Sequence, residues 1–152
     1  MQTVTSKDGT KIAFDKVGSG PAVILVNGAI AYRAFDPSLA QLAELLGTHF
    51  TVYNYDRRGR GESGDKEPFA KEREIEDLQA LVEDAGGTAM VFGISSGGVM
   101  SLDAAALTPG IPKVGVYEPA LIVDDSRQTL EGQTHMVDPK VLAPVIIEFF
   151  KN

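Results

Sequence analysis

Apolar and polar positions follow two rhythms along this chain, and the rhythm switches repeatedly. Ala22-Val23-Ile24-Leu25-Val26 is an unbroken apolar run after Gly20-Pro21, the pattern of a strand buried on both faces of a parallel sheet. Thr51–Tyr55, Ala89–Ile94 and Lys113–Tyr117 are runs of similar length. Lys11–Lys16 alternates polar and apolar after the turn dipeptide Asp8-Gly9, so Thr3–Lys16 predicts a hairpin at a sheet edge. Between these runs the period becomes helical. Asp36-Pro37 offers an N-cap and a first-turn proline to a helix whose Leu39, Leu42, Leu45 and Leu46 form one stripe. From about Lys71 to Ala85, Ile75, Leu78, Leu81 and Val82 share one face with acids on the other, and Gly86-Gly87 stops the helix. A third helix is expected from just after Ser95 to about Leu107. The last starts at Asp138-Pro139 and turns Val141, Leu142, Val145, Ile146, Phe149 and Phe150 inward. Pro144 removes a backbone donor there, which predicts a kink or a late start.

Strand–helix alternation of this kind predicts an α/β three-layer sandwich, one domain over residues 1–152 with a mostly parallel sheet of about six strands. The segment from Ala120 to Val137 is long for a connection, and such loops are usually functional or disordered. Composition narrows the chemistry. With no cysteine, disulfides and thiolate metal sites are excluded, and no metal is expected. Against 21 Asp+Glu stand 14 Lys+Arg, and a net charge of −7 argues against a nucleic-acid partner. No run approaches the ~18 apolar residues of a membrane span, and Met1–Thr5 lacks the basic flank and apolar run of a signal peptide. A soluble, cytoplasmic protein without membrane association is the expectation.

Gly93-Ile94-Ser95-Ser96-Gly97 matches G-x-S-x-G at the junction of an apolar strand and a helix. A sharp turn there lifts a serine hydroxyl above the sheet edge, and the flanking glycines avoid side-chain clashes. The helix N-terminus behind it presents free N–H groups to a developing oxyanion. The plainer alternative is a glycine-rich turn with solvated serines. Asp56-Arg57-Arg58-Gly59-Arg60-Gly61-Glu62-Ser63-Gly64 follows another strand and contains G-x-G-x-x-G, a dinucleotide fingerprint when it opens a helix in the first strand–helix unit. Pro68 interrupts any such helix and this unit is not the first, so no cofactor is expected.

Asn27-Gly28-Ala29 after one strand, Asp56–Gly64 after the next and Gly93–Gly97 after the third together resemble the α/β-hydrolase superfamily. The resemblance covers about residues 3–123 and resumes at about 128–152, where Gly132-Gln133-Thr134-His135 resembles the catalytic-histidine loop. It implies Ser95 as nucleophile and His135 as general base, with the backbone N–H groups of Ala29 and Ser96 as oxyanion donors. Asn27-Gly28 stands where many members have His-Gly. His49, just ahead of a strand, reads as a structural residue.

Full-size members insert a cap, and then an acid-bearing strand, after the strand that resembles Lys113–Tyr117. Here Leu121–Ser126 runs almost directly into Arg127–Gly132, so the expectation is a shortened member lacking both. Glu118, at the end of that strand, is the favoured acid, because the haloalkane dehalogenase branch carries its acid there. Asp124, Asp125 or a dyad with no acid are the alternatives, and Glu118 as a solvated strand end or an arginine's partner is the plain one. Apolar surface left uncapped predicts a homodimer exchanging the segment around Ala120–Asn152. The functional expectation is a serine esterase that cleaves small carboxylic esters through an acyl-Ser95 intermediate. The alternative is an inert scaffold kept as a binding domain. A serine nucleophile argues against dehalogenation.

Overall fold

The computed structural model describes residues 1–119 and 130–152. The described residues form ten elements: β1 (Gln2–Thr5), β2 (Lys11–Gly18), β3 (Ala22–Val26), α1 (Pro37–Leu46), β4 (Thr51–Tyr55), α2 (Lys71–Asp84), β5 (Met90–Ile94), α3 (Ser96–Leu107), β6 (Val114–Tyr117) and α4 (Pro139–Lys151). The strands form one sheet in the order β1-β2-β4-β3-β5-β6. It is mixed: β3 pairs in parallel with β4 and β5, and β5 with β6, whereas β1–β2 and β2–β4 are antiparallel. The hairpin at the edge and the parallel centre therefore both match the hydrophobic pattern.

Alternation along the central strand divides the core into two layers. Ile24 and Val26 face one side with Tyr53, Tyr55 and Val91, and are covered by Ile75, Leu78 and Leu81 of α2 and Met100 and Ala104 of α3. Val23 and Leu25 face the other with Val52 and Phe92, under Leu39, Leu42 and Leu46 of α1 and Leu142, Ile146 and Phe150 of α4. Apolar burial on both faces is what makes β3 a continuous hydrophobic run. No helix among the described residues is long and apolar enough to cross a membrane.

Helix ends follow their signals. Asp36 and Asp138 each accept from the backbone N–H two residues on, Ser38 and Lys140, ahead of Pro37 and Pro139. The glycines after α2 sit at φ 94° and 90°, a region that ends helices and favours glycine. α4 begins at Pro139 and continues through Pro144, so of the two outcomes expected there the late start does not occur. Leu142, Ile146 and Phe150 on either side of the proline pack into the core, but Val141 and Phe149 do not face inward as expected, being 39% and 48% exposed. The acids of α2 are not all on its outer face either. Glu74 is 6% and Asp77 1% exposed, each drawn inward by a buried arginine.

Pro144 lies on the exposed side of α4 and leaves the Lys140 carbonyl without its helical donor. Pro144→Ala is expected to stabilise the protein by about 1–3 kcal/mol, read as a higher denaturant midpoint. An unchanged or lower midpoint would show that the proline is accommodated without cost.

Candidate active site

Ser95 occupies the single residue between β5 and α3. Its backbone is at φ 55°, ψ −122°, a conformation rarely adopted by residues with a side chain and one that persists only where the surroundings enforce it. The enforcement is visible. Ser95 N–H donates to the Tyr117 carbonyl at 3.0 Å and its own carbonyl accepts from Gly98 N–H at 3.0 Å. A Cβ on Gly93 would overlap the Gly97 carbonyl and Ser101 Oγ, and one on Gly97 would overlap the carbonyls of Val26 and Asn27. Both glycines of the motif are thus required by close backbone approach, as expected from the sequence. The Ser95 side chain is half-buried.

The loop after β3 passes directly beside this turn. A Cβ built on Gly28 would stand 3.7 Å from that of Ser95. Asn27 is fully buried, and its side-chain amide donates to the Tyr55 carbonyl at 3.2 Å. Ala29 is exposed at the mouth of the loop. Ser96 is the first residue of α3, where backbone N–H groups have no partner within the helix.

On the other side lies β6. Glu118 follows its last residue at φ 44°, one register step beyond the Ile94–Tyr117 pairing and so alongside Ser95. His135 Nδ1 is 2.6 Å from Glu118 Oε2, with both side chains about half exposed (55% and 50%). Tyr117 Oη donates to the Thr134 carbonyl at 2.6 Å, which ties the histidine loop to the same strand end. The structure therefore brings His135 to Glu118, and Ala29, Ser96 and Glu118 to the turn that holds Ser95. It does not join His135 to Ser95: among the described residues, Ser95 Oγ makes no hydrogen bond. Asp124 and Asp125 lie outside the described residues. His49 is exposed and packs edge-on against Phe50, away from this sheet edge.

The charged segment after β4 is a third wall. Asp56 accepts from the Arg33 and Glu62 backbone N–H groups at 2.8 and 2.9 Å, and from the Arg33 guanidinium at 3.1 Å. Arg57 makes a bidentate pair with Glu74 at 3.1 and 2.6 Å, and Arg58 one with Asp77 at 2.8 and 2.7 Å. Buried guanidinium groups need such partners. That is why Glu74 and Asp77, one helical turn apart, face inward. The hydrophobic stripe of α2 hid this, but three arginines behind a strand end were a signal that nearby carboxylates would be drawn inward. The Gly59–Gly64 loop does not open a helix, since α2 begins only at Lys71; its geometry is not that of a dinucleotide turn.

A model of the alpha/beta hydrolase family matches residues 23–150 of this sequence, a span containing both Ser95 and His135. The chain belongs to this family. An alpha/beta hydrolase from Sphaerobacter thermophilus DSM 20745 is 56% identical, superposing at a TM-score of 0.75 over 86% of this chain and 50% of its own. A thermophilic esterase from Thermogutta terrifontis is 26% identical, with a TM-score of 0.68 over 82% and 47%. The uncharacterized hydrolase YraK of Bacillus subtilis (strain 168) is 32% identical over 119 residues, 75% of this chain and 43% of YraK. The chain thus spans about half the length of these relatives.

Arg58 also reaches Asp8 Oδ2 at 3.0 Å, and that hydrogen bond, with one from Thr10 N–H, holds the Asp8 carboxyl well below the usual carboxylate range. A carboxyl depressed in the folded state stabilises above its unfolded pKa of about 3.9 and loses that contribution as pH falls below it. Asp8→Asn is expected to cost about 1–2 kcal/mol at pH 7, with the gap to the native protein narrowing below pH ~4. A gap that stayed constant from pH 7 to pH 3 would contradict the ionised pair.

Proposed function

We propose that the chain is a serine hydrolase that cleaves small carboxylic esters. The observation carrying this reading is the conformation of Ser95, held at positive φ between two glycines that admit no side chain, at the C-terminal edge of the sheet and with its hydroxyl unbonded among the described residues. Glu118 accepts the Nδ1 proton of His135, which leaves Nε2 as the basic nitrogen. On attack, Ser95 Oγ adds to the ester carbonyl carbon while its proton passes to Nε2. The new oxyanion is received by the backbone N–H groups of Ala29 and Ser96. Collapse expels the alcohol, which takes the proton from His135. Water, activated by the same imidazole, then releases the acid from Ser95. The sequence requires His135 Nε2 to reach Ser95 Oγ when substrate is bound, and catalytic hydrogen bonds commonly tighten only at that point. The Thermogutta terrifontis esterase, one of the similar structures, supports the choice of ester over other acyl substrates. The exposed Ala29 and His135 favour small esters, which need no enclosing pocket.

One observation favours a second reading, a binding domain without turnover: the absent hydrogen bond between Ser95 and His135. Hydrolysis of p-nitrophenyl acetate and butyrate separates the two. Ser95→Ala and His135→Ala are expected to fall to the background rate, and Glu118→Gln to lose part of kcat, about 10²–10⁴-fold. Equal rates for the native protein and all three variants would leave the binding domain as the reading.

A further inference from the structure

Glu74 does more than neutralise Arg57. Its Oε1 also lies 3.5 Å from Arg60 Nη1, so one buried carboxylate on α2 holds two guanidinium groups. Each of them reaches the loop beside Ser95. Arg57 Nη1 donates to the Asn27 carbonyl at 3.2 Å and to Ser96 Oγ at 3.0 Å. Arg60 Nε donates to the Ala29 carbonyl at 2.5 Å. The N–H that would face an oxyanion from this loop belongs to the Gly28–Ala29 peptide. The peptides on either side of it are the ones whose carbonyls are pinned. Gly28 would otherwise leave that unit the freest in the loop. Fixing both neighbours sets the direction of the Ala29 N–H without touching it, and the same Arg57 nitrogen links it to the residue supplying the second N–H.

We infer that Glu74, Arg57 and Arg60 form a clamp that positions both halves of the oxyanion hole. The inference rests on the esterase reading above and adds three positioning residues to it; none of the three touches the reacting atoms. A guanidinium suits this task because its planar fork serves the carboxylate with one edge and two further acceptors with the other. A lysine at position 57 keeps the charge but cannot span Glu74, Asn27 and Ser96 together.

The test compares the native protein with Arg57→Lys and Arg60→Gln. Arg60 is partly exposed, so its variant leaves the buried Arg57–Glu74 pair intact. A trifluoromethyl ketone is the probe: Ser95 Oγ adds to its carbonyl carbon, the proton moves to His135, and the resulting oxyanion occupies the hole. Both variants are expected to bind the ketone about tenfold more weakly and to lose kcat by the same factor, with KM within about twofold. Backbone 15N order parameters of Gly28 and Ala29 should fall from about 0.85 toward 0.6. A merely structural role would move neither the ketone affinity nor these two amides selectively. Native turnover that depends on Ser95, combined with unchanged ketone affinity and order parameters in both variants, would overturn the clamp alone. Native protein with no Ser95-dependent turnover would overturn the esterase reading and the clamp's catalytic purpose together.

Discussion

Two guanidinium groups, those of Arg57 and Arg58, are buried behind the C-terminal edge of the sheet, and a buried cation that loses its counter-charge costs about 3–5 kcal/mol. This constraint sets the position of α2. Glu74 and Asp77 meet the two arginines through bidentate geometry, so the helix can neither slide nor rotate against the sheet without breaking both pairs. Its apolar stripe then falls on Tyr53, Tyr55 and Val91. Asp8 adds a second carboxylate to Arg58 and fastens the β1–β2 turn to the same point. An ionic frame of this kind does not add much net stability over an apolar one of equal shape. What it supplies is direction, since hydrogen-bonded forks tolerate little angular change.

That direction is passed to the candidate site. The loop after β3 and the turn holding Ser95 are both in contact with Arg57 through the Asn27 carbonyl and Ser96 Oγ. On the far side, β6 delivers Glu118 next to the turn and Tyr117 anchors the loop carrying His135. The strained serine is consequently flanked by one rigid wall, built on buried ion pairs, and one half-exposed wall, built on a carboxylate–imidazole contact. Oxyanion stabilisation benefits from rigidity, because preorganised donors need no rearrangement as charge develops. In the proposed reaction the rigid wall holds the oxyanion donors and the open wall the general base.

Much of this was legible in the amino-acid sequence because short, strong signals coincide. Asp36-Pro37 and Asp138-Pro139 mark helix starts, Gly86-Gly87 a helix stop, and the run Ala22–Val26 a strand covered on both faces. The turn around Ser95 was readable since glycines at 93 and 97 leave few other geometries. Glu118 could be placed at the edge by its position after an apolar run, whereas its contact with His135 was implied only by the family resemblance, which left Asp124, Asp125 and a dyad open. The inward turn of Glu74 and Asp77 was not readable from helical period alone, because a carboxylate on an apolar face looks like a register error until its arginine is located. Whether Pro144 would delay the start of α4 was equally hidden, since tertiary packing of Leu142, Ile146 and Phe150 outweighs one lost hydrogen bond.

The most direct test is to trap Ser95 as the proposed nucleophile. Brief exposure of the protein to a fluorophosphonate, followed by intact-mass and peptide mapping, reports which serine is activated. One adduct per chain is expected, on the peptide containing Ser95, absent from the Ser95→Ala protein and strongly slowed in His135→Ala. Adducts scattered over surface serines, or none on Ser95 at concentrations that label ordinary serine esterases, would contradict that role.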